Sequence, residues 1–115
     1  MKFEKRKDCY FDTETRLEWS LENYDPMPWQ SAIEFCKALG NGWRLPTIQE
    51  LLTLVDYDKF APATELPYMV SSYYWSSTTY ANYTDDAWSV YFGYGYDSWD
   101  DKPSSYYVRA VRGAN

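Results

Sequence analysis

A helix start is encoded in the stretch PTIQELLTLV, residues 46–55. Thr47 and Glu50 have the spacing of a capping box, in which each side chain pairs with a backbone N–H group that has no partner inside the helix. The residues that follow repeat with helical period and supply one apolar face: Ile48, Leu51, Leu52 and Val55. The stretch therefore predicts a helix that begins at Thr47 and packs against the core.

A second helix is predicted upstream by apolar residues at positions i, i+3, i+4 and i+7. These residues are Ala32, Phe35, Cys36 and Leu39. Gly40 suits the end of this helix, and the two prolines of DPMP, residues 25–28, are expected to break the chain before it. Further upstream, residues 9–11 and 17–19 flank the turn sequence DTET, which predicts a β-hairpin.

Short strands are predicted downstream, beyond a proline-containing loop at residues 57–72. The candidates are residues 73–76, 87–92 and 106–112. In the middle candidate, Trp88, Val90 and Phe92 alternate with Ser89, Tyr91 and Gly93, so one face is expected to pack inward and the other to be presented outward. Together these elements predict the α+β class, with two helices packed on a small, irregular antiparallel sheet and a loop-rich C-terminal half.

The composition excludes several classes of function. The length of 115 residues fits one domain, residues 1–115. Histidine, the usual general base near neutral pH, is absent, so we expect no enzyme and no cofactor. Seventeen acidic and eleven basic residues give a net charge of −6, which argues against a nucleic-acid partner. No apolar stretch reaches the roughly 18 residues of a membrane span, so no membrane insertion is predicted. No secretory signal is recognised, so either the protein acts without secretion or its leader is missing from this sequence.

The two cysteines, Cys9 and Cys36, are too few for a tetrahedral metal site, and no metal is predicted. They either pair with each other or remain buried thiols, and both interpretations stay open at this point. The basic run at residues 2–7 is interpreted as a solvated strand edge.

A composition change divides the chain. All seven Glu and all eight Leu lie at or before residue 66, whereas residues 79–106 contain six Tyr, five Asp and four Ser in 28 positions. Tyrosine offers a large amphipathic contact area at low ordering cost, and Ser, Asn and Gly adapt around it, as in antibody binding loops. The plainer interpretation is that these tyrosines are half-buried strand residues. That interpretation does not explain why Glu, Gln, Leu, Ile and Met are all absent from residues 79–106. We call residues 79–106 the window.

The clustered aspartates of the window suit a hard cation such as calcium. A pair of carboxylates could also hydrolyse a glycosidic bond, and Asp97 and Asp100 are the candidates for that role. No EF-hand spacing is present, and solvated loop aspartates are the preferred interpretation. Most of the tryptophans are interpreted as core residues, while Trp99, among polar neighbours, fits either a core or a ligand-binding role.

Several motifs together resemble a known family. They are RLEW (16–19), GWRLPT (42–47) with Glu50 and Leu51, YWSST (74–78), AW (87–88) and YVRAVRG (107–113). In this order they are similar to the C-terminal domain of bacterial collagen-like adhesins, which implies a C-type lectin-like fold. The family often has Cys where Ala110 stands, and the resemblance implies that this residue pairs with the counterpart of Cys36. That disulfide is lost here. The Glu-Pro-Asn and Trp-Asn-Asp triplets of calcium-dependent sugar binders are also missing.

Within that family, the sequence most resembles the variable proteins of diversity-generating retroelements, in which a reverse transcriptase randomises adenines of a template repeat. An asparagine codon randomised at its first two bases, with a pyrimidine kept third, cannot encode Glu, Lys, Gln, Met or Trp. In the window only Trp88, Trp99 and Lys102 belong to that set. The resemblance therefore implies that these three residues are fixed and that their neighbours are free to vary.

The resemblance divides the domain into a scaffold (1–78), the window (79–106) and a closing strand (107–115). The framework is expected to consist of Trp19, Trp43, Leu45, Leu51, Trp75, Trp88, Val90, Phe92, Val108 and Val111. The ligand surface is expected to consist of Tyr80, Asn82, Tyr83, Asp85, Ser89, Tyr91, Tyr94, Tyr96, Asp97, Ser98, Asp100, Asp101, Ser104, Ser105 and Tyr106.

The expected function is recognition of varied protein or glycan receptors on target cells, from a virus tail fibre or a cell surface. Homo-oligomerisation or multivalent display would raise modest affinities by avidity. Three alternatives remain: a carbohydrate-binding adhesin without diversification, a carboxylate-dependent glycosidase, and a purely structural virion or surface subunit.

Overall fold

A computed structural model describes residues 2–113. Nine strands and two helices are found in that range. In chain order they are β1 (Phe3–Lys5), β2 (Tyr10–Asp12), β3 (Leu17–Trp19), β4 (Tyr24–Met27), α1 (Trp29–Ala38), α2 (Ile48–Leu52), β5 (Tyr73–Thr79), β6 (Asp86–Tyr91), β7 (Tyr96–Asp101), β8 (Tyr106–Val108) and β9 (Val111–Gly113).

The strands form two sheets. One has the order β1-β2-β3-β9 and is antiparallel throughout. The other has the order β4-β8-β5-β6-β7, in which only the β5–β8 pair is parallel. The α+β class is confirmed, but the single antiparallel sheet of the prediction is replaced by two sheets, one of them mixed. None of the helices in residues 2–113 is long and apolar enough to cross a membrane.

Both predicted helices are present, and their ends follow the local sequence. The Thr47 side chain accepts a hydrogen bond from the Glu50 N–H group, and the Glu50 side chain accepts one from the Thr47 N–H group, which completes the capping box of α2. Arg44 adds a bidentate ion pair to Glu50, with both N–O distances 2.7 Å. Gly40 follows α1 with φ 72°, a left-handed conformation that glycine adopts without strain.

The observed strands differ from the prediction in several places. Residues 25–27 belong to strand β4 rather than to a break, and Pro26 is accommodated because β4 lies at a sheet edge. The single strand expected at 106–112 is two strands, β8 and β9, which belong to different sheets. Strand β7 was not predicted, although it lies inside the window. Within the predicted closing segment, residues 114 and 115 lie outside the described residues.

The core consists of two clusters. Trp19, Leu51, Val90, Phe92 and Val111 belong to the first, and Leu45, Trp75 and Val108 to the second. Of the predicted framework, only Trp43 and Trp88 are half-buried.

The guanidinium of Arg109 is fully buried against residues 20–23 and Pro67. It donates hydrogen bonds to the carbonyl groups of Ser20, Leu21 and Pro67 and to Asn23 Oδ1. Burial lowers the pKa of Arg109 to about 10, so it is still charged at neutral pH. The hydrogen bonds offset the cost of burying this charge.

Both cysteines are buried free thiols, which settles the alternative left open by the sequence. Cys36 lies in the same core cluster as Ala110, the position at which the resemblance implies a second cysteine. Burial raises the pKa of the Cys36 thiol to about 12 and raises that of Cys9 as well.

Candidate binding surface

The window forms the β6–β7 hairpin and the loops on either side of it. Strand β6 lies between β5 and β7, and β7 is the edge strand of its sheet. Trp88 is directly opposite Trp99, and Tyr91 is opposite Tyr96. Directly opposed residues lie on the same side of a sheet and successive residues alternate sides, so these two pairs lie on opposite faces. The sequence predicted one ligand surface, whereas the structure gives the hairpin two aromatic faces.

The first of these, the tyrosine face, consists of Tyr73, Tyr91, Tyr94, Tyr96 and Tyr106. The ring of Tyr73 lies 4.8 Å from that of Tyr91 and 5.0 Å from that of Tyr106, between centroids. Tyr91 in turn contacts Tyr96 at 5.2 Å and Tyr94 at 6.0 Å. Half-buried rings therefore hold the exposed rings of Tyr94 and Tyr96 in place.

Hydrogen bonds fix the polar ends of this face. The Tyr106 hydroxyl donates to Asp100 Oδ2, and this bond holds the pKa of Asp100 below its usual value. Burial, together with the same bond, raises the pKa of Tyr106. A hydrogen bond with Tyr96 is the largest cause of the raised pKa of Tyr73. At neutral pH, Asp100 is a carboxylate, and Tyr73 and Tyr106 are neutral.

The second, the tryptophan face, consists of Tyr80, Tyr83, Trp88 and Trp99. Tyr80 stacks on Trp99 with an interplanar angle of 5° and a centroid distance of 4.7 Å. Trp88 meets both rings edge-on, at 5.1 Å from Tyr80 and 5.4 Å from Trp99. Trp99 remains 48% exposed, so it belongs to the surface and not to the core.

Lys102 ties the end of the hairpin to the scaffold. Its Nζ atom donates to the Thr84 carbonyl oxygen at 2.7 Å and to Thr79 Oγ1 at 3.2 Å. The same atom lies 4.2 Å from the centroid of the Trp29 ring, a cation–π distance. Backbone hydrogen bonds join the Lys102 N–H group to the Asp85 carbonyl and its carbonyl to the Trp29 N–H group. One lysine thus anchors the loop before β6, the end of β7 and the start of α1.

The predicted ligand residues differ in exposure. Eight are exposed: Asn82, Tyr83, Asp85, Tyr94, Tyr96, Asp97, Asp101 and Ser105. Six are half-buried: Tyr80, Tyr91, Ser98, Asp100, Ser104 and Tyr106. Ser89 is fully buried, and its expected outward position is wrong, because it lies on the central strand between Trp75 and Ser98. Among the described residues no hydrogen-bond partner is found for the Ser89 hydroxyl.

Two surface residues were left out of the predicted ligand set. Tyr73 precedes the window in sequence but lies opposite Tyr91 across the β5–β6 pair. Trp99 was left undecided between core and surface. Its alternation with Asp97 and Asp101 was an available signal, because three such residues on a strand share one face.

The two aromatic faces contribute no residue to the four clefts found in residues 2–113. Four clefts of about 330, 360, 380 and 510 Å³ lie in the described part of the chain. None of these four is lined by a window residue. Small molecules favour concave sites of about 300–1,000 Å³, whereas a flat aromatic surface suits a larger partner. Within residues 2–113, no group of three or more acidic or cysteine side chains is arranged to hold a metal ion.

In a comparison with known families, the model of the Lcl C-terminal domain matches residues 8–112. The matched range contains both sheets except β1 and the last residue of β9, and it includes the whole window. No curated protein matches the sequence.

Proposed function

Because the chain belongs to the Lcl C-terminal domain family, we propose that it is an adhesin-like, ligand-binding domain that contacts its partner through the window. The observation that carries the proposal is the pair of ordered aromatic faces on the β6–β7 hairpin. Their outer rings are 47–69% exposed and stack on half-buried rings. A surface that is already ordered loses little conformational entropy on binding.

Exposed rings elsewhere in the protein lack this support. Tyr57 and Tyr68 are 80% and 74% exposed, and no aromatic ring contact of either is found in the described part of the chain. Both stand in the loop between α2 and β5. They therefore serve as internal controls, because they match the window tyrosines in residue type and exposure.

The proposal includes diversification of the window by a retroelement, on a C-type lectin-like scaffold of a virus tail fibre or cell surface. Two helices beside small irregular sheets support that scaffold. Two of the three residues that randomised asparagine codons cannot encode contact the scaffold: the Lys102 ammonium lies over the Trp29 ring, and Trp88 packs against the first core cluster. A diversified surface needs such fixed anchors, because its other side chains change from copy to copy.

We also propose that the domain is not an enzyme. Asp100 was one of the two carboxylates considered for glycoside hydrolysis, and a general acid there needs a raised pKa. The hydrogen bond from Tyr106 lowers the pKa of Asp100 instead. The other carboxylate, Asp97, is exposed on an edge strand. Turnover of a glycan panel that is abolished by Asp97→Asn or Asp100→Asn would refute this part.

The test of binding uses matched tyrosine pairs. We expect Tyr83→Ser with Tyr94→Ser to reduce attachment of an oligomerised domain to its target cells by about tenfold or more, since aromatic contacts dominate interface energies. Tyr57→Ser with Tyr68→Ser should leave attachment within about twofold of the wild type, because these rings lie outside the surface. Attachment is measured by flow cytometry over a panel of cells and by glycan array. Equal losses for both pairs would refute binding through the window.

A purely structural subunit predicts no attachment to any cell or glycan of the panel. A carbohydrate-binding adhesin without diversification predicts attachment that the glycan array reproduces and that is shared by all natural copies.

A further inference from the structure

Strand β7 lies at the free edge of its sheet and carries acidic and aromatic side chains on one face. Asp97, Trp99 and Asp101 alternate along the strand, so their side chains lie on the tryptophan face. Strand β6 places Asp86 directly opposite Asp101 on the same face. The arrangement puts an indole ring, about half exposed, between carboxylates on its own strand.

Among the described residues, the carboxylates on this face form no ion pair, and the one side-chain contact found for Asp101 is a hydrogen bond from the Ser104 hydroxyl to its Oδ1 atom. Like charges directly opposite each other destabilise a sheet, and Asp86 and Asp101 form such a pair. The five ion pairs of residues 2–113 join other carboxylates, none of them in the window. Lys102, the basic residue of the window, is occupied by Thr84 and Thr79. A cation supplied from outside would relieve this repulsion.

The backbone of β7 is also open along the outer edge of the sheet. The Lys102 N–H group donates to the Asp85 carbonyl, which marks that residue pair as hydrogen-bonded across β6 and β7. Hydrogen-bonded and non-hydrogen-bonded pairs alternate in an antiparallel ladder, so the N–H and C=O groups of Asp97, Trp99 and Asp101 point away from β6. The Asp101 N–H group is satisfied by Asp100 Oδ1. The Asp101 carbonyl accepts a hydrogen bond from the Ser104 N–H group. Within residues 2–113, no partner beyond the β6–β7 ladder is found for the backbone groups of Asp97 and Trp99.

We propose that β7 accepts an extended segment of a partner protein that carries arginine or lysine at alternating positions. The segment adds as a sixth strand, and main-chain hydrogen bonds form with Asp97 and Trp99. Its basic side chains lie on the tryptophan face, over the Trp99 ring and beside the carboxylates of Asp97 and Asp101, in cation–π and ionic contacts. The inference rests on the proposed function, because it names the class of partner for the same surface.

Charge selects this occupant over a second copy of the chain. Two β7 strands joined edge to edge would bring three aspartates of one copy against three of the other, in a protein of net charge −6. Charged edge strands resist pairing with themselves in this way. A strand with basic side chains would instead be attracted to the carboxylates of β7.

The experiment uses two peptides of identical composition, Ac-GRTRTRTG-NH₂ and Ac-GTTRRRTG-NH₂. Only the first presents its arginines on one side of a strand. We expect the alternating peptide to bind the purified domain about tenfold or more tightly than the clustered peptide, measured by calorimetry at fixed low salt, because only it meets Asp97, Trp99 and Asp101 together. It should also slow amide hydrogen exchange at Trp99.

Two double variants with the same change in net charge complete the test. Asp97→Asn with Asp101→Asn should weaken binding of the alternating peptide about tenfold, whereas Asp25→Asn with Asp58→Asn, at exposed sites elsewhere, should change it less than about twofold. Equal affinity for the two peptides, equal losses in the two variants, or no binding at millimolar peptide would overturn the proposal. All peptide measurements keep Tyr83 and Tyr94 intact. The two proposals can therefore fail separately. If the Tyr83/Tyr94 variant loses cell attachment but the peptide does not bind the wild type, binding through the window stands and only the addition of a strand to β7 is rejected.

Discussion

Replacement of Lys102 by methionine tests whether a single fixed residue holds the window on the scaffold. Methionine keeps most of the length and apolar contact of the lysine stem but removes its charge. The substitution deletes the hydrogen bonds to the Thr84 carbonyl and to Thr79 Oγ1 and the cation–π contact with Trp29. It leaves the backbone hydrogen bonds of residue 102 in place.

The magnitude follows from these three contacts. Hydrogen bonds that involve a charged group stabilise a protein by about 1.5–3 kcal/mol when shielded from water, and Lys102 is half-buried, so about 1 kcal/mol for each is the appropriate scale. The cation–π contact adds about 0.5–1 kcal/mol at a partly exposed site. We therefore expect Lys102→Met to lower the free energy of unfolding by about 2–3 kcal/mol. For a domain of this size that corresponds to a fall in Tm of about 8–12 °C.

Urea denaturation monitored by tryptophan fluorescence measures this change, and Lys7→Met is the matched control at an exposed position. Hydrogen exchange should show the loss concentrated in residues 79–86 and at the end of β7, because these segments lose their common anchor. A destabilisation below about 0.5 kcal/mol, or one equal to that of Lys7→Met, would refute the reasoning that Lys102 is a structural anchor.

Three further predictions concern single groups. Ser89→Ala should leave the free energy of unfolding unchanged or raise it by up to about 1 kcal/mol in urea denaturation, because it removes a buried hydroxyl without a partner; a loss above about 1 kcal/mol would mean that the hydroxyl is satisfied. Tyr106→Phe should destabilise the protein between about pH 4 and pH 10 and less outside that range. The lowered pKa of Asp100 contributes stability that is lost as the pH falls through that pKa, and the raised pKa of Tyr106 contributes stability that is lost as the pH rises through that pKa. A stability difference from wild type that does not vary with pH would contradict this prediction. Cys9 and Cys36 should not react with a thiol reagent in the native protein, because burial raises both pKa values, and both should react in denaturant. Fast reaction of either thiol in the native state would place that thiol at the surface.

The elements predicted correctly are those whose signals are local. The capping box of Thr47 and Glu50 marks the start of α2 within four residues, and the hairpin of β2 and β3 depends on one turn. Strand β7 was missed because its sequence, YDSWDD, is rich in aspartate, which strands disfavour. β7 forms a strand because the turn after β6 brings it beside that strand, where the two pair in register. This pairing is a tertiary contact that the local sequence does not reveal.

The binding surface was predicted in composition but not in shape. Alternation on β6 assigned Ser89 to the outside, an inference that holds only where one face of a strand meets solvent. Strand β6 is buried on both faces at this point: Val90 belongs to the first core cluster, whereas Ala87 and Trp75, on the face of Ser89, belong to the second. The division of the window into two aromatic faces depends on the β6–β7 register, which pairs Trp88 with Trp99. No local pattern in the sequence specifies that register.

Sequencing natural copies of this gene, with the DNA beside them, tests the central claim most directly. We expect substitutions among copies to concentrate at exposed and half-buried positions of residues 79–106, while Trp88, Trp99 and Lys102 stay constant. We also expect a near-identical repeat with asparagine codons at the variable positions, next to a reverse transcriptase gene. Substitutions spread evenly along the chain, or frequent change at Trp88 and Lys102, would contradict a fixed scaffold that carries a diversified binding surface.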